Sequence, residues 1–173
     1  PSPPPPGPPP SPPPSPPPPS PIPPLANIFE LPRYNANLSS TEADHVAANC
    51  IDNILDNFCH TDTETSPWLS VQLPAPSTVQ QVLIYNRVDC CHDRLTPLQL
   101  WVGVTVADYQ SPTSTECGAF NLTTPVSAGP FSFNCQGAAG EYVTLVLPGP
   151  DRILHIAEMK IYSPYFSPSP PPP

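Results

Sequence analysis

The chain has 173 residues, six cysteines and a formal net charge of −9 at pH 7. Only five residues are lysine or arginine, which excludes the basic surfaces that nucleic acid or a polybasic membrane attachment would need. No apolar run approaches the roughly 20 residues required to cross a bilayer, so no membrane insertion is expected.

Proline supplies 34 residues, and they are gathered at the two ends. Residues 1–26 form a tract of Ser-Pro-Pro-Pro blocks, and 164–173 return to the same composition. Proline fixes φ near −65° and removes the backbone donor, so both tracts are expected as polyproline II rods. At about 3.1 Å per residue, the first 24 residues would extend on the order of 70 Å. A bare linker is the plainer reading of such tracts. Their presence on both sides of a domain favours rods packed in a larger extracellular assembly. Because the chain starts and stops within Pro-rich sequence, it is expected to be a segment of a longer secreted protein.

Residues 27–163 have ordinary composition and the length of one domain. Asn37-Leu38-Ser39 and Asn121-Leu122-Thr123 are N-glycosylation acceptors, at Asn37 and Asn121. Glu42 follows Ser39 at capping-box spacing and predicts one short helix there. Leu69, Val71 and Leu73 alternate with Ser70 and Gln72 as a half-buried strand. Leu98, Leu100, Val102 and Val104 alternate in the same way. Val79–Tyr85, Glu141–Leu147 and Ile156–Tyr162 read as further strands. Pro74, Pro76, Pro97, Pro112, Gly129-Pro130 and Gly149-Pro150 punctuate them. Short strands, frequent turn signals and almost no helix predict an all-β, jelly-roll β-sandwich.

An even set of cysteines in such a domain implies disulfides and an oxidising compartment, though the count leaves many pairings open. Zinc is the alternative, since Cys59-His60 and Cys91-His92 place both ligand types together, but no Cys-x-x-Cys spacing supports it. Hydrolase, metalloprotease and phosphate-loop motifs are absent, and no enzyme is expected.

The most informative segment is Arg87-Val88-Asp89-Cys90-Cys91-His92-Asp93-Arg94. Guanidinium forks match paired oxygens on a sugar ring or carboxylate. Adjacent cysteines can close into a small ring with a flat apolar sulfur face. Two arginines around such a ring, on a loop after a strand, suit a sugar's hydroxyls and C–H face. The plainer reading is a surface ion cluster, with Asp89 and Asp93 pairing the arginines. Asp89 is expected to orient an arginine rather than to touch a ligand.

Asn86-Arg87-Val88-Asp89-Cys90-Cys91-His92-Asp93-Arg94 resembles the Asn-Arg-Gly-Asp-Cys-Cys-x-x-Arg motif of the F-type lectins (fucolectins), which are discoidin-like β-sandwiches. Pro67-Trp68-Leu69-Ser70-Val71-Gln72-Leu73, Glu141–Gly149 and Ala157–Tyr162 are similar to further blocks of that family. The resemblance implies that His60, Arg87 and Arg94 bind sugar hydroxyls while Cys90–Cys91 packs on the ring. His60 lies 27 residues before Arg87, the spacing the motif wants. Affinity would then fall in acid, as His60 gains a proton near a usual pKa of about 6.5. Cys117–Cys135 follows the family's disulfide pattern. Cys50–Cys59 is the remaining pair, because Ala157 stands where Cys59's usual partner would be. The resemblance also implies a structural Ca²⁺ on Asn49, Asp52 and Glu158, with Asn53, Asp56 and Asn57 as further candidates. The chain departs from the pattern at Leu69, Val88 and Ala157, and in a short Asp52–His60 segment. Those departures leave the sugar open: fucose, or the arabinose or galactose of a surrounding matrix.

The Ser-Pro tracts resemble extensins and pherophorins, hydroxyproline-rich glycoproteins. Together these readings imply an extracellular carbohydrate-binding module of a cell-wall, cell-surface or ciliary-surface glycoprotein. The alternative is a structural subunit of a homopolymeric fibre, whose lectin-like domain packs around polyproline rods and binds other glycoprotein chains rather than a free sugar.

Overall fold

The computed structural model describes residues 28–120 and 128–164. The expected tract 1–26, Asn121 and residues 165–173 lie outside the described residues. Nine strands and two single-turn 3-10 helices, Ala47–Cys50 and His92–Leu95, make up the described regular structure. The strands are β1 (Phe29–Glu30), β2 (Asn35–Leu38), β3 (Cys59–His60), β4 (Trp68–Tyr85), β5 (Leu98–Gly103), β6 (Thr115–Phe120), β7 (Phe131–Val146), β8 (His155–Ile156) and β9 (Glu158–Ser163). The fold is all-β, as expected.

Its frame is the antiparallel pair β4–β7, whose long strands serve both leaves of the sandwich. The first half of β4, Trp68–Gln72, pairs with Tyr142–Val146 on one side and with β2 on the other. The second half pairs with Phe131–Gly140 and with β9. Between Gln72 and Ser77 the register breaks, and this is where Pro74 and Pro76 fall. Proline offers no N–H to a ladder, so it belongs at an irregularity, and the irregularity lets one strand turn from leaf to leaf. The prolines that read as a strand boundary are thus a corner within one strand. The sheet runs β1-β9-β4-β7-β5-β6, with β2 beside β4.

Period-two alternation places the core. Leu69, Val71, Leu73, Val82, Ile84, Leu98, Leu100, Val102, Val143, Leu145, Met159 and Ile161 are all buried, each on the inward face of its strand. Gly140 is required by close packing: a Cβ there would lie 2.5 Å from the Gly103 carbonyl oxygen on β5. The disulfide Cys117–Cys135 ties β6 to β7.

Three local expectations are corrected. No helix forms at Ser39–Glu42. The Ser39 N–H continues the β2–β4 ladder to the Trp68 carbonyl at 3.0 Å, and its hydroxyl accepts the Trp68 N–H at 3.0 Å and donates to Glu64. β5 stops before Val104, which is 45% exposed; the Asp108 carboxylate takes the Val104 N–H at 2.9 Å and closes a turn. The strand expected over Ile156–Tyr162 is broken at Ala157. There the chain leaves its pairing with β3 and joins β4, with the Ala157 N–H donating to Tyr85. Asn37 lies half-buried on β2, opposite Ser70.

Candidate functional site

At one end of the sandwich three pieces meet: the loop from Asn86 to Pro97 between β4 and β5, the segment 51–58, and the small β3–β8 sheet. Asn86 organises the first. It is buried, donates its side-chain amide to the His92 carbonyl at 3.1 Å, and accepts the Arg87 N–H at 2.9 Å. This closes the loop on itself around the vicinal disulfide Cys90–Cys91. Cys91 sits in the left-handed region at φ 61° and starts the 3-10 turn His92–Leu95. The Arg94 N–H caps back to the Cys91 carbonyl at 3.1 Å. Cys90 is exposed, so the disulfide faces solvent at the loop tip.

Arg87 is bound in two ways. Its Nε and Nη2 donate to the two oxygens of Asp89 at 2.7 and 2.6 Å. Its guanidinium carbon lies 3.9 Å from the centroid of the Phe58 ring, a cation–π contact. The paired donors hold the Asp89 carboxyl well below the usual carboxylate range. Asp89 thus orients an arginine, as its position in sequence suggested. Arg94 is half-buried.

His60 completes the set from β3. Its Nδ1 lies 2.7 Å from the Thr61 carbonyl oxygen. A carbonyl only accepts, so Nδ1 carries the proton and Nε2 presents a lone pair. Burial is the largest influence on its pKa and pushes it down; the nearby Arg87 adds to this, while Thr61 and Glu42 oppose it. The acid sensitivity expected near pH 6.5 therefore moves to lower pH.

Sequence reading missed two residues here. His155 is Cα-paired with His60 across β3–β8, and their rings stack at 5.6 Å. It is buried, neither ring nitrogen has a hydrogen-bond partner among the described residues, and burial followed by the charges of Arg87, His60 and Arg94 drives its pKa down to about 3. Of these groups His60 touches the His155 ring directly, while Arg87, Arg94 and Asp89 act on it through their charges. The strand expected over Ile156–Tyr162 begins one residue after His155, so no pattern in the sequence marked it. Phe58 is the other: it carries Arg87 on one contact and stacks on His45 at 4.3 Å. A pocket of about 120 Å³ opens beside them, lined by Leu55, Asp56, Asn57, Phe58, Arg87, Val88 and Asp89. Val88 at 59% exposure and Leu55 at 42% give it an apolar rim. The short segment after Asp52 thus still reaches the site.

The residues expected to hold Ca²⁺ do not fit one. Glu158 is fully buried, and its carboxylate is engaged by the Arg33 guanidinium and by the Asn53 N–H. The Asp52 oxygens accept the Ile54 N–H at 2.8 Å and the Asn57 amide at 2.7 Å. Asn49 turns its amide to the Phe58 carbonyl at 3.2 Å. Among the described residues, no group of three His, Cys, Asp or Glu side chains could hold a metal ion, zinc at Cys59-His60 or Cys91-His92 included, since those cysteines are in disulfides. Cys50 pairs with Cys59.

A two-leaf antiparallel sandwich with its loop cluster at one end is the shape that comparisons with known proteins return. The pattern of the F5/F8 type C family described as "NedA-like, galactose-binding domain" matches residues 49–145, more than half of the chain. The chain belongs to that family. Among relatives of this galactose-binding domain, the pentraxin fusion protein of Xenopus laevis is 29% identical over 106 residues, 61% of this chain and 24% of its own length. Fucolectin-2 of Anguilla japonica is 30% identical over 123 residues, 66% of this chain and 65% of that protein. The crystal structure of a fucolectin from striped bass (Morone saxatilis) serum superposes with a TM-score of 0.66 at 25% identity, covering 75% of this chain and 46% of that one. The chain thus spans less than two-thirds of the length of each of these relatives.

Proposed function

We propose that this galactose-binding-type domain is an extracellular carbohydrate-binding module, and that it holds one sugar ring at the loop cluster. The observation that supports the reading is a single loop on which Arg87 and Arg94 flank an exposed Cys90–Cys91 disulfide, with His60 facing it from the β3–β8 sheet near enough for His60, Arg87 and Arg94 all to act on the buried His155. In this reading Arg94 donates to ring hydroxyls, the His60 Nε2 lone pair accepts from one, and Arg87 contributes the edge that Asp89 leaves open. The sulfur face of Cys90–Cys91 packs on the C–H side of the ring. Fucose, arabinose and galactose all offer hydroxyls for such a set, and relatives include proteins named fucolectins. The Pro-rich tracts 1–26 and 164–173 support a place in a hydroxyproline-rich glycoprotein of a cell wall, cell surface or cilium, where matrix glycans are at hand. Its glycosylation sites, Asn37 and Asn121, suit the same setting.

A glycan-array screen of the chain, with all disulfides oxidised, tests this. Selective binding to fucose, arabinose or galactose is expected. Arg87→Ala and Arg94→Ala, each removing charge-assisted hydrogen bonds, are expected to weaken it by about 10- to 100-fold without unfolding the domain. Normal binding by both variants would move the site elsewhere. One observation favours a second reading, in which the domain is a packing subunit of a fibre. Asp89 already occupies two of Arg87's donors. A blank array from the folded chain is the result that would select it.

A further inference from the structure

Arg33 lies at the far side of the 51–58 segment, and no motif drew attention to it. Its side chain is 6% exposed, and the Glu158 side chain it meets is 0% exposed. Nη1 donates to Glu158 Oε1 and, at 2.6 Å, to the Met159 carbonyl. Nη2 donates at 2.9 Å to Glu30 Oε1 and at 2.9 Å to Asn53 Oδ1. One guanidinium thus gathers four oxygens from β1, β9 and the 51–58 segment. Two are carboxylate, one is a backbone carbonyl and one is a side-chain amide.

That is the ligand chemistry of a hard cation: oxygens only, from separated stretches of chain, two of them anionic. Here the positive charge is covalently part of the protein. A buried carboxylate needs a partner charge, because taking an unpaired ion out of water is costly. Glu158 has that partner in Arg33, and its second oxygen takes the Asn53 N–H at 2.6 Å. We propose that the Arg33 guanidinium replaces a structural metal ion in this domain, locking the 51–58 segment onto β1 and β9 so that the fold and its pocket need no Ca²⁺. The proposal is independent of which sugar, if any, the domain binds.

Thermal unfolding of the whole chain tests it. The melting temperature is expected to be the same within about 1 °C in excess EDTA and in millimolar Ca²⁺, and titration with Ca²⁺ or with luminescent Tb³⁺ is expected to show no saturable site. Arg33→Met, which keeps the length of the side chain but strands the buried carboxylate, is expected to lower the melting temperature by about 10 °C or more. Arg33→Met/Glu158→Leu, with no buried charge to strand, is expected to recover most of that loss. A wild-type chain stabilised by Ca²⁺, or a saturable Tb³⁺ signal abolished by Glu158→Gln, would overturn the proposal. So would an Arg33→Met variant as stable as the wild type. Should Arg33→Met fail to fold, the metal titrations of the wild-type chain decide alone. Loss of glycan binding with unchanged melting curves would count against the sugar site and leave Arg33 untouched.

Discussion

His155 is the residue whose environment has the largest consequence for behaviour in solution. In the unfolded chain its imidazole takes up a proton near 6.5; folded, it resists until about 3. Between those values the unfolded state binds the extra proton, so folding stability is complete above 6.5 and is lost as pH falls. His60, also lowered by burial, works in the same direction. One such group contributes a slope of about 1.4 kcal/mol per pH unit. Urea unfolding measured between pH 6.5 and 5, above the range of ordinary carboxylates, is expected to show it, with His155→Leu separating it from Glu158, whose carboxyl burial pushes up. His155→Leu should flatten the slope by about one proton's worth, and an unchanged slope would show that His155 is not the group responsible. The identity of Asp89 as an orienting residue was legible from its place between Arg87 and Cys90. That Arg87 also rests on Phe58 was not, because the two are far apart in sequence and meet only when the 51–58 segment folds over the loop.

At the scale of elements, the loop carrying Arg94 is held from outside itself. Arg152 donates through Nη2 to the carbonyls of Arg94 and Thr96 at 2.9 Å each, and through Nη1 to Pro148 at 2.9 Å. It is therefore a positioning residue for Arg94, acting through the backbone. Arg152→Ala leaves these carbonyls without their strap. It is expected to speed hydrogen exchange across residues 92–97 and to weaken sugar binding by about tenfold, with Arg152→Lys restoring part of both. Equal exchange rates in the variant and wild type would remove this role. Strand positions were readable wherever alternation was regular, as at Leu98, Leu100 and Val102. They failed where a side chain overrode the pattern: Asp108 ended β5 by capturing the Val104 N–H. Pro74 and Pro76 misled for a related reason, since a missing donor marks a turn or a corner equally well.

For the whole molecule, closure of the two leaves is the issue. β4 and β7 join the leaves at one side, and Cys117–Cys135, 18 residues apart, pins β6 to β7. A loop of that size constrains the unfolded chain by about 3 kcal/mol in the chain-entropy account. Cys117→Ala/Cys135→Ala is expected to lose about that much in urea denaturation while the other disulfides persist. A loss below about 0.5 kcal/mol would mean the leaves are held by their core alone. Cys135 and its neighbour on the same face of β7, Phe133, are both buried in the core, so the cross-link is anchored in packed structure at that end.

The sequence alone determined the class of fold, since period-two apolar alternation and turn residues act locally and survive in any order of strands. It also determined the Arg87–Arg94 loop, whose chemistry is written in nine contiguous residues from Asn86 to Arg94. Tertiary structure decided what lies behind and beside that loop. His155 came to face His60 because the last strand breaks at Ala157 and changes partners. Arg33 came to hold Glu158 across 125 residues of sequence. A buried charge selects its partner through space, where desolvation makes an unpaired ion costly, and no local pattern announces which distant residue will supply it.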